Sequence, residues 1–329
     1  MSIASQPLVS VVTPVYNNAE FLAECIESIQ AQTYQNWECV VVNNCSTDGS
    51  GEIAHRYAAK DPRIRVHDND KFLRAVANHN HSLRQISRDS KYCKIAFSDD
   101  WLFPRCLEDM VAVAEQNPAA GIVGAYGLQG NEVVVKWAGL RYPSTVVSGR
   151  EICRRYFLEG LYVWGTSHSV LFRADLVRGR DPFFNESNLH ADIEICLVLL
   201  RDCDFGFAHQ VLTFTRERAG SLTDFARNMN TIVAAKLHEL VTYGHDFLTV
   251  EEFDTSRERI LSEYYNYLAV SAIRGRRDKK FWELHKRKLG EAGVVFSPLR
   301  LARACMARFG RALGHPHETI AKLKNRRAP

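Results

Sequence analysis

Ile95-Ala96-Phe97-Ser98-Asp99-Asp100-Trp101 runs three mostly apolar residues straight into two adjacent carboxylates. An apolar run that ends in acids reads as a buried strand delivering oxygen ligands to a sheet's edge, where a hard cation and a phosphate can meet. A solvated turn or a helix N-cap accounts for the same pair taken alone. The surroundings must decide.

Upstream, periods of two and of 3.6 alternate. Residues 8–15 form a β-branched run that stops at Tyr16, Asn17 and Asn18. Residues 20–32 then repeat apolar groups at Phe21, Leu22, Cys25, Ile26 and Ile29, one face of a helix. The pattern recurs as a strand over 37–42, a turn-rich 43–49 and a helix over 50–59. A strand at 64–67, a helix near 75–86 and a strand over 92–97 complete the series. This order predicts a mostly parallel sheet, whose ligands bind beyond the carboxyl ends of its strands. The loops after Val15, Val42 and Phe97 all lie on that side.

The cleft so predicted offers Thr13, Pro14, Asn17, Asn43, Asn44, Ser46, Thr47 and Asp48, small polar groups suited to a base and ribose. Each is also an ordinary turn former. Neither GxGxxG nor GxxxxGK[ST] is present, so the dinucleotide and P-loop fingerprints are absent. A nucleotidyltransferase reading lacks its Gly-rich phosphate loop.

The 329 residues allow one large domain, or a domain with an appendage, and 46% hydrophobic with 24% charged residues is a globular composition. No apolar run approaches the roughly 20 residues of a membrane span, and MSIASQPLVS lacks a signal-peptide pattern. A cytoplasmic protein is expected. Nine scattered cysteines without ligand spacing indicate reduced thiols rather than zinc or disulfides.

The overall charge of +4 conceals a segregation: residues 271–329 hold 16 Lys+Arg against 4 Asp+Glu, a net of +12, which leaves −8 for residues 1–270.

The strings VSVVTPVYNN at 9–18, VVNNCSTDGS at 41–50 and FSDDWLFP at 97–104 resemble, in order and spacing, the landmarks of the family 2 glycosyltransferases. The resemblance implies a GT-A type nucleotide-diphospho-sugar transferase fold, with a mostly parallel central sheet, flanking helices and, here, a helical C-terminal region. It also implies transfer of a sugar from a nucleoside diphosphate, most simply a UDP-sugar, to an acceptor hydroxyl with inversion, as in surface polysaccharide or glycan assembly.

Thr13, Pro14 and Tyr16 match the family loop that lines the nucleotide, and Asn44 and Asp48 match the loop that reads the base. Ser98 joins the donor-binding set. Asp99 matches the last acid of the DxD metal motif and Asp100 follows it, implying Mg²⁺ or Mn²⁺. Two departures stand out. Phe97 replaces the first acid of that motif, and Asn43 and Asn44 stand where the family often has an acid pair. Arg74, Asn78, His79 and Asn80 resemble a helix that supports the donor site; an amphipathic helix with its polar side in water accounts for them equally well.

Within NLHADIEICLVLLR at 188–201, Asp192 resembles the second acid of the family's ED motif, with Ala191 in place of the Glu. That makes Asp192 the catalytic base for the acceptor proton, with His190 and Glu194 as neighbouring substitutes. A dipole-favoured acid in a helix's first turn is the plainer explanation. FTRERAGSLT at 214–223 resembles a segment that reaches over the diphosphate. There Arg216 and Arg218, the latter in place of a His, can grip phosphate oxygens. Because Phe97, Ala191 and Arg218 each replace a family residue, a non-catalytic sugar-nucleotide or glycan binding protein is the rival reading.

The expected organisation is a catalytic domain over 1–228, divided into a nucleotide half (1–104) and an acceptor half (105–228), followed by a helical basic extension over 229–329. Helices are expected at 231–243, 256–273, 279–289 and 298–313. The last reads PLRLARACMARFGRAL, with Leu299, Ala302, Met306, Phe309 and Leu313 on one side. Such a helix suits an anionic membrane surface, where a lipid-linked or glycan acceptor is met, and suits equally a face packed on protein. No zinc finger, RNP pattern or basic zipper indicates specific nucleic-acid binding.

Overall fold

The computed structural model describes residues 6–130, 135–136, 140–218, 220, 222–275 and 278–314. The chain forms two compact units, Met1–Ser221 and Leu222–Pro329.

The first unit opens with alternating strands and helices: β1 (Val9–Val15), α1 (Ala19–Gln30), β2 (Trp37–Asn43), α2 (Ser50–Ala58), β3 (Ile64–Asp68), α3 (Ala75–Leu83) and β4 (Tyr92–Ile95). It continues through β5 (Trp101–Leu102), α4 (Cys106–Gln116), β6 (Ala120–Gln129), β7 (Val135–Lys136), β8 (Val146–Val147) and α5 (Gly149–Glu159). It ends with β9 (Leu171–Arg173), α6 (Ala174–Arg178), α7 (Ala191–Leu199) and β10 (Asp204–Thr215).

These strands build one sheet in the order β3-β2-β1-β4-β9-β6-β10-β5, with β7 on β6 and β8 on β10. The ladders β3-β2-β1-β4 and β6-β10 are parallel, as the alternating pattern requires. Between them β9 runs antiparallel to both β4 and β6. Every residue of β1 is buried, Ser10 and Thr13 included, so apolar residues occupy both sides of the strand and neither side is left to water. Leu22, Cys25, Ile26 and Ile29 of α1 pack into that core; Phe21, read from the sequence as part of the same face, is only partly buried and lies against the Arg216 guanidinium instead.

Two features of this sheet place the site. The turns after β1, β2 and β4 end on one edge, because the three strands run parallel. The short antiparallel pairing of β5 with β10 sets Phe214 opposite Trp101, and their rings stack at 3.7 Å. Carried two residues further, that register brings Arg216 level with Asp99.

The second unit consists of α8 (Leu222–Met229), α9 (Thr231–Tyr243), α10 (Val250–Ile273), α11 (Lys279–Glu291) and α12 (Pro298–Gly314). The helix expected from residue 256 begins earlier, because Thr249 and Glu252 close a capping box: Glu252 N–H donates to Thr249 Oγ1 at 3.3 Å and Thr249 N–H to Glu252 Oε2 at 3.1 Å. At its core His285 is fully buried, sharing a 2.8 Å hydrogen bond with Tyr264. The basic tail 315–329, with its KNRR, lies outside the described residues, as do residues 219 and 221 of the 214–223 segment.

Candidate active site

The first two loops are stitched to each other. Asn17 adopts a left-handed backbone (φ 47°), a conformation that Asn tolerates. Its Oδ1 accepts Thr47 N–H at 2.8 Å, while its own N–H donates to Ser46 Oγ at 3.1 Å. Asp48 accepts Ala19 N–H at 2.9 Å and both the N–H and hydroxyl of Ser50, at 3.0 and 2.6 Å. Burial disfavours its charge, but these hydrogen bonds outweigh it and the Asp48 carboxyl lies below its ordinary range. Its carboxylate therefore fixes the starts of α1 and α2.

Asn44 is a buried clamp. Its Nδ2 donates to Leu73 O and its Oδ1 accepts Leu73 N–H, each at 2.8 Å, and Asn69 Nδ2 adds a third bond at 3.0 Å. Asn69 also donates to Asn78 Oδ1 at 3.0 Å. Asn78, Asn80 and Ser82 of α3 are all buried, so the polar face of this helix points inward rather than to water. The amide chain Asn44–Asn69–Asn78 thereby sets the 69–73 loop. That loop presents Phe72, which meets the ring of Tyr16 edge-on at 4.8 Å. Both rings are about half exposed (Tyr16 49%, Phe72 55%), a pair of open aromatic faces at the rim. Thr13 and Pro14 are buried within β1, Thr13 at 4.0 Å from the Cys39 sulfur.

The third loop closes on the first through Ser98, whose Oγ accepts Asn18 Nδ2 at 2.7 Å. Asn18 Oδ1 is buried beside it without a hydrogen-bond partner among the described residues. The next residue, Asp99, is partly exposed and ion-paired to Arg218, Nε to Oδ2 at 2.8 Å. Asp100 is buried and accepts Arg216 N–H at 2.8 Å; burial, with Asp99 beside it, pushes its carboxyl well above the usual range. Arg216 Nε donates to Asp99 O at 2.9 Å, and its guanidinium lies 4.3 Å from the Phe21 ring and pairs with Glu24 at 2.5 Å. Two acids and two guanidiniums thus share one sheet edge.

Among the described residues no three His, Cys, Asp or Glu side chains converge as a ready metal cage. One accessible carboxylate, a second behind it and an unpartnered amide oxygen suit a hard cation that completes its shell with water and a ligand's phosphates. The donor set fits an ion that arrives with a diphosphate.

From Phe97 the site extends toward α7. His79 stacks on Phe97 at 5.3 Å and meets Phe184 edge-on at 6.3 Å; burial holds its pKa down, to about 4, so it is neutral. Asn80 pairs with Phe184 through both main-chain groups, at 2.8 Å each, and reaches Glu186 at 3.1 Å. Glu194 accepts both Asn185 and Asn188, so the neighbouring acid anchors this loop. Asp192, in the first turn of α7, accepts Ile193 N–H at 3.0 Å. Burial nevertheless raises its carboxyl to about 6. Behind the site, Lys94 is fully buried and donates to the carbonyls of His168 and of Val170; burial lowers its pKa to about 8.

Sequence reasoning missed Phe72, Phe21, Glu24 and Lys94. An aromatic residue inside the charged loop NDKFLR was a usable signal for Phe72; nothing in the sequence marked the other three.

The model of the glycosyl transferase family 2 matches residues 10–178. The putative glycosyltransferase EpsE of Bacillus subtilis is 37% identical over 154 residues, 45% of this chain and 55% of that protein. Glycosyltransferase GlyG of Streptococcus pneumoniae is 37% identical over 120 residues, 36% of this chain and 39% of that one. The chain spans about half the length of these relatives, or less. S. aureus TarS 1-349 in complex with UDP-GlcNAc superposes with a TM-score of 0.63 at 18% identity, covering 90% of this chain and 86% of that one. The mannosyltransferase PcManGT of Pyrobaculum calidifontis, with GDP-Man and Mn²⁺, gives a TM-score of 0.53 at 17% identity over 98% and 85% of the two chains. These likenesses show the fold, the GT-A type that the family resemblance implied. With half of the sequence matched, from the second residue of β1 to the end of α6, this chain belongs to the glycosyl transferase family 2.

Proposed function

We propose that the chain transfers a sugar from a nucleoside diphosphate donor to an acceptor hydroxyl, with inversion, in the assembly of a surface polysaccharide or other glycan. The carrying observation is the Asp99–Arg218 ion pair, held at the edge where the turns after β1, β2 and β4 meet. The donor's base rests on the open faces of Tyr16 and Phe72, in the frame built by Asn44, Asp48, Asn78 and Ser98. Thr13 and Pro14 shape the strand end beneath it. UDP-GlcNAc in TarS and GDP-Man in PcManGT are the donors bound by two neighbours of this fold, and a UDP-sugar is the first to test here.

Asp99, with Asp100 behind it, would hold Mg²⁺ or Mn²⁺, and such an ion supplies positive charge to a departing diphosphate. Arg218 exchanges its carboxylate partner for a phosphate oxygen as the donor enters, and Arg216 keeps the Asp99 main chain in place. Both guanidiniums remain charged and so stabilise the negative charge that develops on the leaving group. Asp192 accepts the acceptor's hydroxyl proton as that oxygen bonds to the anomeric carbon. The bond from that carbon to the phosphate oxygen breaks, and its electron pair leaves with the diphosphate. A single displacement inverts the centre without a covalent enzyme intermediate.

Turnover of a panel of UDP-, GDP- and dTDP-sugars, with Mg²⁺ or Mn²⁺ and again with EDTA, tests this reading. Release of one nucleoside diphosphate, stopped by the chelator, is expected. Binding of a sugar nucleotide with no hydrolysis or transfer under any condition would favour the non-catalytic reading.

A further inference from the structure

The last described helix offers a surface that the chemistry of sugar transfer does not use. On α12, Leu299, Met306 and Phe309 are 59%, 64% and 56% exposed in the whole chain. With Ala302 they are spaced three, four and three residues apart, so they form one outward stripe. The opposite side, at Leu301, Ala304 and Cys305, is partly buried. There α12 packs on α10, and Arg300 pairs with Glu258 at 3.3 Å.

Arg303 is exposed beside the stripe, one turn from both Leu299 and Met306. The helix sequence holds four arginines and no acid, within the 271–329 segment whose net charge is +12. Charge identifies the occupant. Two copies of α12 placed stripe to stripe would bring arginines together with no carboxylate on either helix to answer them. An anionic lipid surface answers both halves of the pattern, taking the apolar groups at the acyl boundary and the guanidiniums among its headgroups.

We propose that α12 lies on an anionic bilayer with its Leu299–Met306–Phe309 stripe inserted. Cosedimentation of the full chain with vesicles tests this and needs neither donor nor acceptor, so it stands or falls apart from the transferase reading. The chain pellets with vesicles of phosphatidylcholine containing about a third phosphatidylglycerol and not with phosphatidylcholine alone. Uptake falls as salt rises from about 0.1 to about 0.5 M. Met306→Asp with Phe309→Asp weakens partitioning at least about tenfold while circular dichroism and melting stay unchanged, since neither side chain is buried. Arg303→Gln weakens only the anionic preference. Equal partitioning of the Asp variant and the parent chain overturns the proposal, as does failure of the parent to bind. A concentration-dependent dimer abolished by the same substitutions, without vesicle binding, also overturns it and gives the stripe to a second copy.

Discussion

Burial lifts the Asp192 carboxyl to about 6 although the first turn of a helix favours the anion. Desolvation wins, and the result is a carboxylate basic enough to take a proton near neutrality yet ionised there. The pH profile follows. As the proposed base it must be deprotonated, so kcat is expected to rise with pH through about 6 and then level. Stability moves the opposite way. A folded pKa raised from 3.8 to about 6 favours the protonated native state, and this contribution is lost as pH rises through that window. Asp192→Asn keeps it at every pH. The variant is therefore expected to lose about 10²- to 10⁴-fold in kcat, to bind donor normally, and to melt no lower than the parent at pH above about 7. A lowered melting temperature with near-normal turnover would make Asp192 a structural residue.

At the scale of elements, the loops illustrate what a sequence can carry. The strands β1 and β2 were legible, as runs over 8–15 and 37–42, because nearly every residue is buried and apolar groups predominate on both sides. The strands β5 and β9 have two and three residues, too few for any period to register. Asn44 displays the chemistry of a base reader or a turn former, but a sequence does not show that its amide is spent on Leu73. The pairing of Arg218 with Asp99 depends on the β5–β10 register, a contact between distant parts of the chain. A contrast between two variants separates frame from contact. Asn44→Ala removes the buried amide that pairs both main-chain groups of the partly buried Leu73 and costs about 1–3 kcal/mol, read by denaturant titration, and raises the donor KM because Phe72 loses its support. Phe72→Ala raises the donor KM several-fold with no change in stability, because its ring is more than half exposed. Equal donor KM in Phe72→Ala and the parent would remove the aromatic rim from the site.

Across the whole molecule, the charge pattern separates two tasks. The first unit carries the strand edge with its acids and guanidiniums, and the second carries a basic helical surface. Among the described residues no helix is long and apolar enough to cross a membrane. The order of elements before Asp99 was readable from periodicity, whereas the short and antiparallel strands after it were not. The central step of the proposed mechanism is the exchange of Arg218 from Asp99 to a donor phosphate, with a divalent ion taken up alongside. Calorimetric titration of UDP into the parent chain and into Asp99→Asn, each with and without Mn²⁺, tests it most directly. In the parent, Mn²⁺ alone binds weakly and UDP binding tightens at least about tenfold when Mn²⁺ is present, an enhancement that Asp99→Asn abolishes. The same Mn²⁺-dependent affinity in Asp99→Asn as in the parent would contradict the account.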